Sequence, residues 1–326
     1  MKAGTLIRMI HSRPFGVAVS VIAFIGVLTY FLGGHIDHVT GDKGPALPSA
    51  NNWVTLPAPD FVAGIGGSAV TVLIMLLLNK VYNVMRSMTS LFIALFAAMQ
   101  LATPSLFGQF YTGTLLAVAV PLCMMLLFSC FRTPSATRNV FLIFLILSGL
   151  TTTQYCFMFY IPVFLAGLGQ MQIFGARSLT AAILGIITPW WILAGFGIID
   201  LRDMVWPQFG NIVSLIGRDD TVLLLVTLGI TAFVMLLCYV LNLLKTMAYN
   251  ARSRAVNGTF TLTALVTVAA AAIDYRNIIS YIPLLNYSAA MEITHYFSTH
   301  RGEKSFIPVL VLIAVYIAIF VCQTVI

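Results

Sequence analysis

Four groups of residues in this sequence have the types and spacing for chemistry. In His35-Ile36-Asp37-His38, two imidazoles and a carboxylate fall within four residues, and Asp42 follows closely. Such a set offers a general base or the beginning of a divalent-metal site, with Asp37, Asp42 and His38 as the catalytic candidates. The alternative is a solvated acidic loop. A metal site needs three or four converging ligands, and only local ones are visible, so no metal is assigned and no cofactor is named. The second group is Arg202 and Arg218, in a stretch that also holds Asp200, Asp203, Trp206, Asp219 and Asp220. A planar guanidinium suits a phosphate, whereas the neighbouring aspartates and Trp206 equally suit a short interfacial helix. Gln154, with Gln100 and Gln109, supplies amides able to hydrogen-bond a sugar or a headgroup. Glu292 and His295 stand three residues apart on one helix face, with Ser288 and Thr299 on the same side. They form either a proton relay or a local polar pair that snorkels to the nearby helix end.

The elements that must position these groups are set by composition. The chain has 326 residues, of which 60% are hydrophobic and 8% charged, and its mean hydropathy is +0.99. Soluble domains carry roughly 25% charged residues. Apolar runs recur from end to end, so the expected fold is all-α, a polytopic transmembrane helical bundle in a single integral membrane domain covering 1–326. About eleven spans are expected: 15–33, 61–78, 87–101, 113–131, 139–149, 155–169, 180–199, 221–244, 258–273, 277–297 and 305–326. The runs 139–149 and 155–169 are shorter than the roughly 20 residues of a perpendicular span. They fit two short crossings or a re-entrant pair. The first run is too long for a signal-peptide core and lacks a small-residue cleavage site, which favours an uncleaved span. The five cysteines lie in apolar segments without CxxC spacing and read as small buried hydrophobes. Gly64, Gly66, Gly67 and Ser68 are expected to permit close helix approach.

Short cytoplasmic loops carry an excess of Lys and Arg, and the segmentation above sorts charge accordingly. Thirteen of the 17 basic residues fall on one side, while eight of the ten acidic residues fall on the other. Merging the two short runs into one span would invert every later loop and destroy that separation. The N-terminus is therefore expected in the cytoplasm, and the protein in a bacterial inner membrane as a multi-pass chain. Its outer face carries the two longer loops, 34–60 and 200–220. The basic residues lie in short loops rather than in a stripe, which excludes a nucleic-acid partner and leaves membrane lipids as the certain surroundings.

Phe159-Tyr160-Ile161-Pro162, Arg177-Ser178 and Gly185-Ile186-Ile187-Thr188-Pro189, together with the tail from Tyr287 to Cys322, resemble a Bacteroidota family of polytopic membrane proteins catalogued only as a domain of unknown function. The resemblance covers about a third of the chain and implies a scaffold without an established activity. More distantly, the acidic loop after the first span is similar to that of multispan glycosyltransferases using polyprenyl-phosphate-linked sugars. That likeness implies a loop carboxylate, here Asp37 or Asp42, as general base on an acceptor hydroxyl. The paired acidic motif of those enzymes is absent here. Three functions follow as expectations: an envelope protein handling lipid-linked glycan, a transporter or flippase using the Glu292 stripe, and a non-catalytic membrane partner of an envelope complex.

Overall fold

A computed structural model describes residues 10, 12–36, 39, 44–85, 88–133, 135–199, 204, 219–246, 249–299 and 307–325. Among them there are helices and no strand. In chain order these are α1 (Arg13–Leu32), α2 (Pro57–Tyr82), α3 (Thr89–Leu101), α4 (Pro104–Phe107), α5 (Thr112–Ser129), α6 (Thr137–Thr151), α7 (Ile161–Gln170), α8 (Ala176–Gly195), α9 (Asp219–Thr246), α10 (Ala251–Ile273), α11 (Ile278–Thr299) and α12 (Ile307–Val325). Short 3-10 turns occupy Ala50–Asn52, Tyr155–Tyr160 and Tyr275–Asn277. Seven of the described helices, α1, α2, α5, α8, α9, α10 and α12, are long and apolar enough to cross a membrane. The chain is thus a multi-pass membrane protein by the length and composition of its helices.

Several helices begin before their apolar run. α10 starts at Ala251 rather than Gly258, because the Asn250 side chain caps it by accepting from the Ser253 N–H at 3.0 Å. The polar Arg252, Arg254 and Asn257 on those first turns hide the start from a hydropathy pattern. α2 likewise begins at Pro57, a residue suited to a first helical position, and ends where Asn83 turns left-handed at φ 52°.

α11 is the hub. It packs against α3, α5, α9 and α10, while α2 covers α5, and α1 and α12 flank α3. α6, α7 and α8 form a second group: α8 lies along α6, and α7 lies against α10. Close approach in that group is sealed by the Ser148 hydroxyl, which donates to the Ile186 carbonyl at 2.6 Å.

Hydrogen bonds between connections sort them onto two faces. On one face, the Ala46 and Leu47 N–H groups donate to the Thr152 carbonyl, Asn51 accepts from Thr112, Asp60 accepts from the Phe110 N–H, and Gln154 donates to Asn277. On the other, Ser90 bonds Ser12, the Arg132 N–H donates to Met171, and Val84 accepts from His295. α6 therefore leaves the second face and ends on the first, and the Tyr155–Tyr160 turn with α7 returns. The second face carries Lys80, Arg132, Arg138, Arg177, Arg252 and Arg254, and the first carries Asp60, Asp274 and a single arginine, Arg276, among the described residues; these are the basic and the acidic face.

Candidate functional site

One of the two least apolar long helices is the most enclosed. Along α11, Ser280, Asn286, Ser288, Glu292, Thr294, His295 and Ser298 are all buried. Burying polar groups away from water costs free energy unless each is hydrogen-bonded; Asn286, Glu292 and His295 find partners outside α11, whereas the Thr294 hydroxyl is buried without one. Asn286 donates to Gln100 of α3 at 2.9 Å, and Gln100 donates on to Ser68 of α2 at 3.4 Å. Glu292 accepts from the Thr261 hydroxyl of α10 at 2.9 Å. His295 meets the Val84 carbonyl through Nδ1 at 3.2 Å and the Asn257 amide through Nε2 at 3.5 Å.

The tautomer of His295 follows from those partners. A backbone carbonyl only accepts, so Nδ1 carries the proton in the neutral ring, and Nε2 is left as an acceptor facing Asn257. His295 lines a cavity of about 60 Å³, together with Tyr82, Asn83, Tyr249, Ser253 and Asn257. The cavity opens on the basic face. One helical turn deeper lies Glu292. With 4% and 6% of their surfaces exposed, Glu292 and His295 do not snorkel. Their hydrogen-bond partners Thr261, Asn257 and Val84 lie outside α11, so a purely local pair is corrected to an interhelical cluster.

A second polar cluster closes the acidic end. Asp274, the residue after α10, accepts from Asn277 Nδ2 at 2.9 Å and 3.2 Å and from the Tyr281 hydroxyl at 2.9 Å. Burial pushes its carboxyl above the ordinary range, and the Tyr281 and Asn277 donors pull the other way. Gln154, 6% exposed, donates from Nε2 to Asn277 Oδ1 at 3.2 Å. Because Asn277 must present its amine to Asp274, its oxygen faces Gln154, and neither amide can flip. Gln154 Oε1 is consequently left buried without a donor. The segment 44–52 lies over this end, where Gly44 touches the Thr153 carbonyl so closely that no side chain fits.

Among the sequence-expected residues, the structure brings Glu292 and His295 together in one cluster and puts Gln154 in the other. Asp37, His38, Asp42, Arg202 and Arg218 lie outside the described residues. The cysteines are buried except Cys322, which is exposed near the end of α12, correcting a uniform buried role. Of the small residues on α2, Gly64 abuts the Gln109 backbone and Gly67 abuts Thr114, while Gly66 faces open space. Sequence reasoning missed Asn257, Thr261 and Arg252. A signal existed for α10: Asn257 and Thr261 stand four apart on one side, and Thr259, Thr263 and Thr267, also four apart and fully buried, mark another polar side turned inward. Among the described residues no cluster of three metal-ligating side chains occurs.

No family model, curated protein or solved structure matches this chain.

Proposed function

We propose that this chain is a membrane transport protein that moves protons through Glu292 and His295. The observation that carries it is the deep carboxyl on α11, one turn from an imidazole that lines a cavity on the basic face. Ionisable groups inside a membrane are costly and are characteristically retained for ion or proton movement. Polar side chains continue up α11 to the Asp274 cluster, a rise of about 27 Å from His295 to Asn277 at 1.5 Å per residue. That matches a hydrocarbon core of about 30 Å. In this proposal the chain crosses eleven times, with the basic face and the N-terminus in the cytoplasm of a bacterial inner membrane.

The test is proton flux into liposomes carrying the purified protein and a pH-sensitive dye inside, driven by an imposed pH gradient. Wild type should acidify the lumen at least tenfold faster than Glu292→Gln, given that a positioned proton-transfer group contributes about 10²–10⁴-fold to a rate. Equal flux in the two would sink the proposal.

A second function, the handling of lipid-linked glycan, draws support from one observation at the acidic end. The open acceptor of Gln154 beneath segment 44–52 calls for a hydroxyl donor, which a polyprenyl-phosphate-linked sugar supplies in quantity. Glycan profiles of cells carrying Gln154→Leu should then change, and identical profiles would remove that support.

A further inference from the structure

A second cavity adjoins the one that His295 lines. Tyr82, Asn83, Ser253 and Val256 border both, and the second, of about 360 Å³, takes in Asn250 and Arg252. Ligand sites run to roughly 300–1,000 Å³, so this volume admits a small solute or a lipid headgroup. Its chemistry is one-sided. Among the described residues Arg252 is the one charged member of the lining, and no carboxylate borders either cavity. Asn250 accepts from the Ser253 N–H through Oδ1, which leaves its amine as a donor. Arg252 is held in place, with its guanidinium 5.0 Å from the centroid of the Tyr82 ring. A cation entering here meets like charge, whereas an oxyanion meets a fixed guanidinium and amide and hydroxyl donors.

We infer that this second cavity is an oxyanion-binding site, taking a phosphate-bearing or similar anion on Arg252 beside the cavity that His295 lines. The inference rests on the transport function proposed above for its meaning as a substrate entry. The same chemistry suits a free anion and the phosphate of an anionic lipid, and two arms of one experiment separate them. Full-length protein in uncharged detergent is melted with increasing inorganic phosphate in one arm and increasing short-chain phosphatidylglycerol in the other. Each is repeated with Arg252→Gln, and with Arg252→Lys as a charge-retaining control for folding.

At tenfold excess over its Kd a ligand should raise Tm by about 2 °C. A saturable rise with phosphate that Arg252→Gln abolishes supports a free anion, and a rise with phosphatidylglycerol alone that is likewise abolished supports a lipid headgroup. No rise in either arm, or a rise undiminished in Arg252→Gln, overturns the site. Neither arm measures proton flux. Loss of the anion site with Glu292-dependent flux intact removes only this inference, and anion binding without flux removes only the transport function.

Discussion

Asn286→Leu should cost about 2 kcal/mol of stability, and Gln100→Leu in the same chain should return most of it. Asn286 and Gln100 are 1% and 3% exposed and joined at 2.9 Å. A hydrogen bond between membrane helices contributes about 0.6 kcal/mol, reaching about 1.7, and an acceptor stranded away from water costs about 1–3 kcal/mol. Asn286→Leu incurs both, because Gln100 Oε1 loses its donor, and a cost of about 2 kcal/mol is a 20- to 30-fold fall in the folded ratio. Gln100→Leu alone strands Asn286 in the same way. With both replaced, two leucines face each other and no buried polar atom is orphaned except at Ser68, whose hydroxyl can turn back to a carbonyl of its own helix. The double variant should lie within about 1 kcal/mol of wild type, giving a coupling energy of about 2 kcal/mol or more. The assay is unfolding of the four proteins by dodecyl sulfate in mixed micelles. Additive costs, with coupling under about 0.5 kcal/mol, would refute the view that polar groups hold α11 in register through specific partners.

Two other perturbations follow from the same packing. Gly64→Ala places a methyl 2.5 Å from the Gln109 carbonyl carbon and oxygen, backbone that cannot give way cheaply, and should lower stability by about 1–3 kcal/mol. Gly66→Ala has nothing within 4 Å and should raise it by about 0.5–1 kcal/mol. Melting points of the two variants in the same detergent check both signs, and equal shifts would show that close approach at Gly64 is illusory. The pH dependence turns on Asp274. Its folded carboxyl titrates above its unfolded value, so the stability from burying the neutral acid is fully present below about pH 4 and declines as pH rises through the folded value. Thermal melts across mild acid to neutral pH should show the wild type losing ground toward neutrality and Asp274→Asn losing less. Parallel curves would assign that dependence elsewhere.

What the sequence revealed, and what it hid, follows from which interactions leave a local trace. Apolar runs of bilayer length did so, and seven of the described helices have that length and composition; the two short runs appear as the shorter apolar segments Thr137–Thr151 and Tyr155–Gln170. The start of α10 left no apolar trace because Arg252 and Asn257 serve the basic-face cavity rather than a lipid surface. Glu292 and His295 were conspicuous by type, yet their roles depend on Thr261, Asn257 and Val84, which lie 31, 38 and 211 residues away. No spacing rule joins a helix to partners so distant. The same holds at the acidic end, where Gln154 and Asn277 are 123 residues apart. Asp274-Tyr275-Arg276 reads locally as a tight turn, and only the fold converts it into the anchor of a buried amide chain whose last oxygen is left open. In a bundle whose outer helices are uniformly apolar, function has to be sought where a polar helix is enclosed, and enclosure is a property of the whole fold. α11 is that helix: its polar side chains would be unremarkable on a soluble surface, and become costly, and therefore informative, because α3, α5, α9 and α10 shut them in.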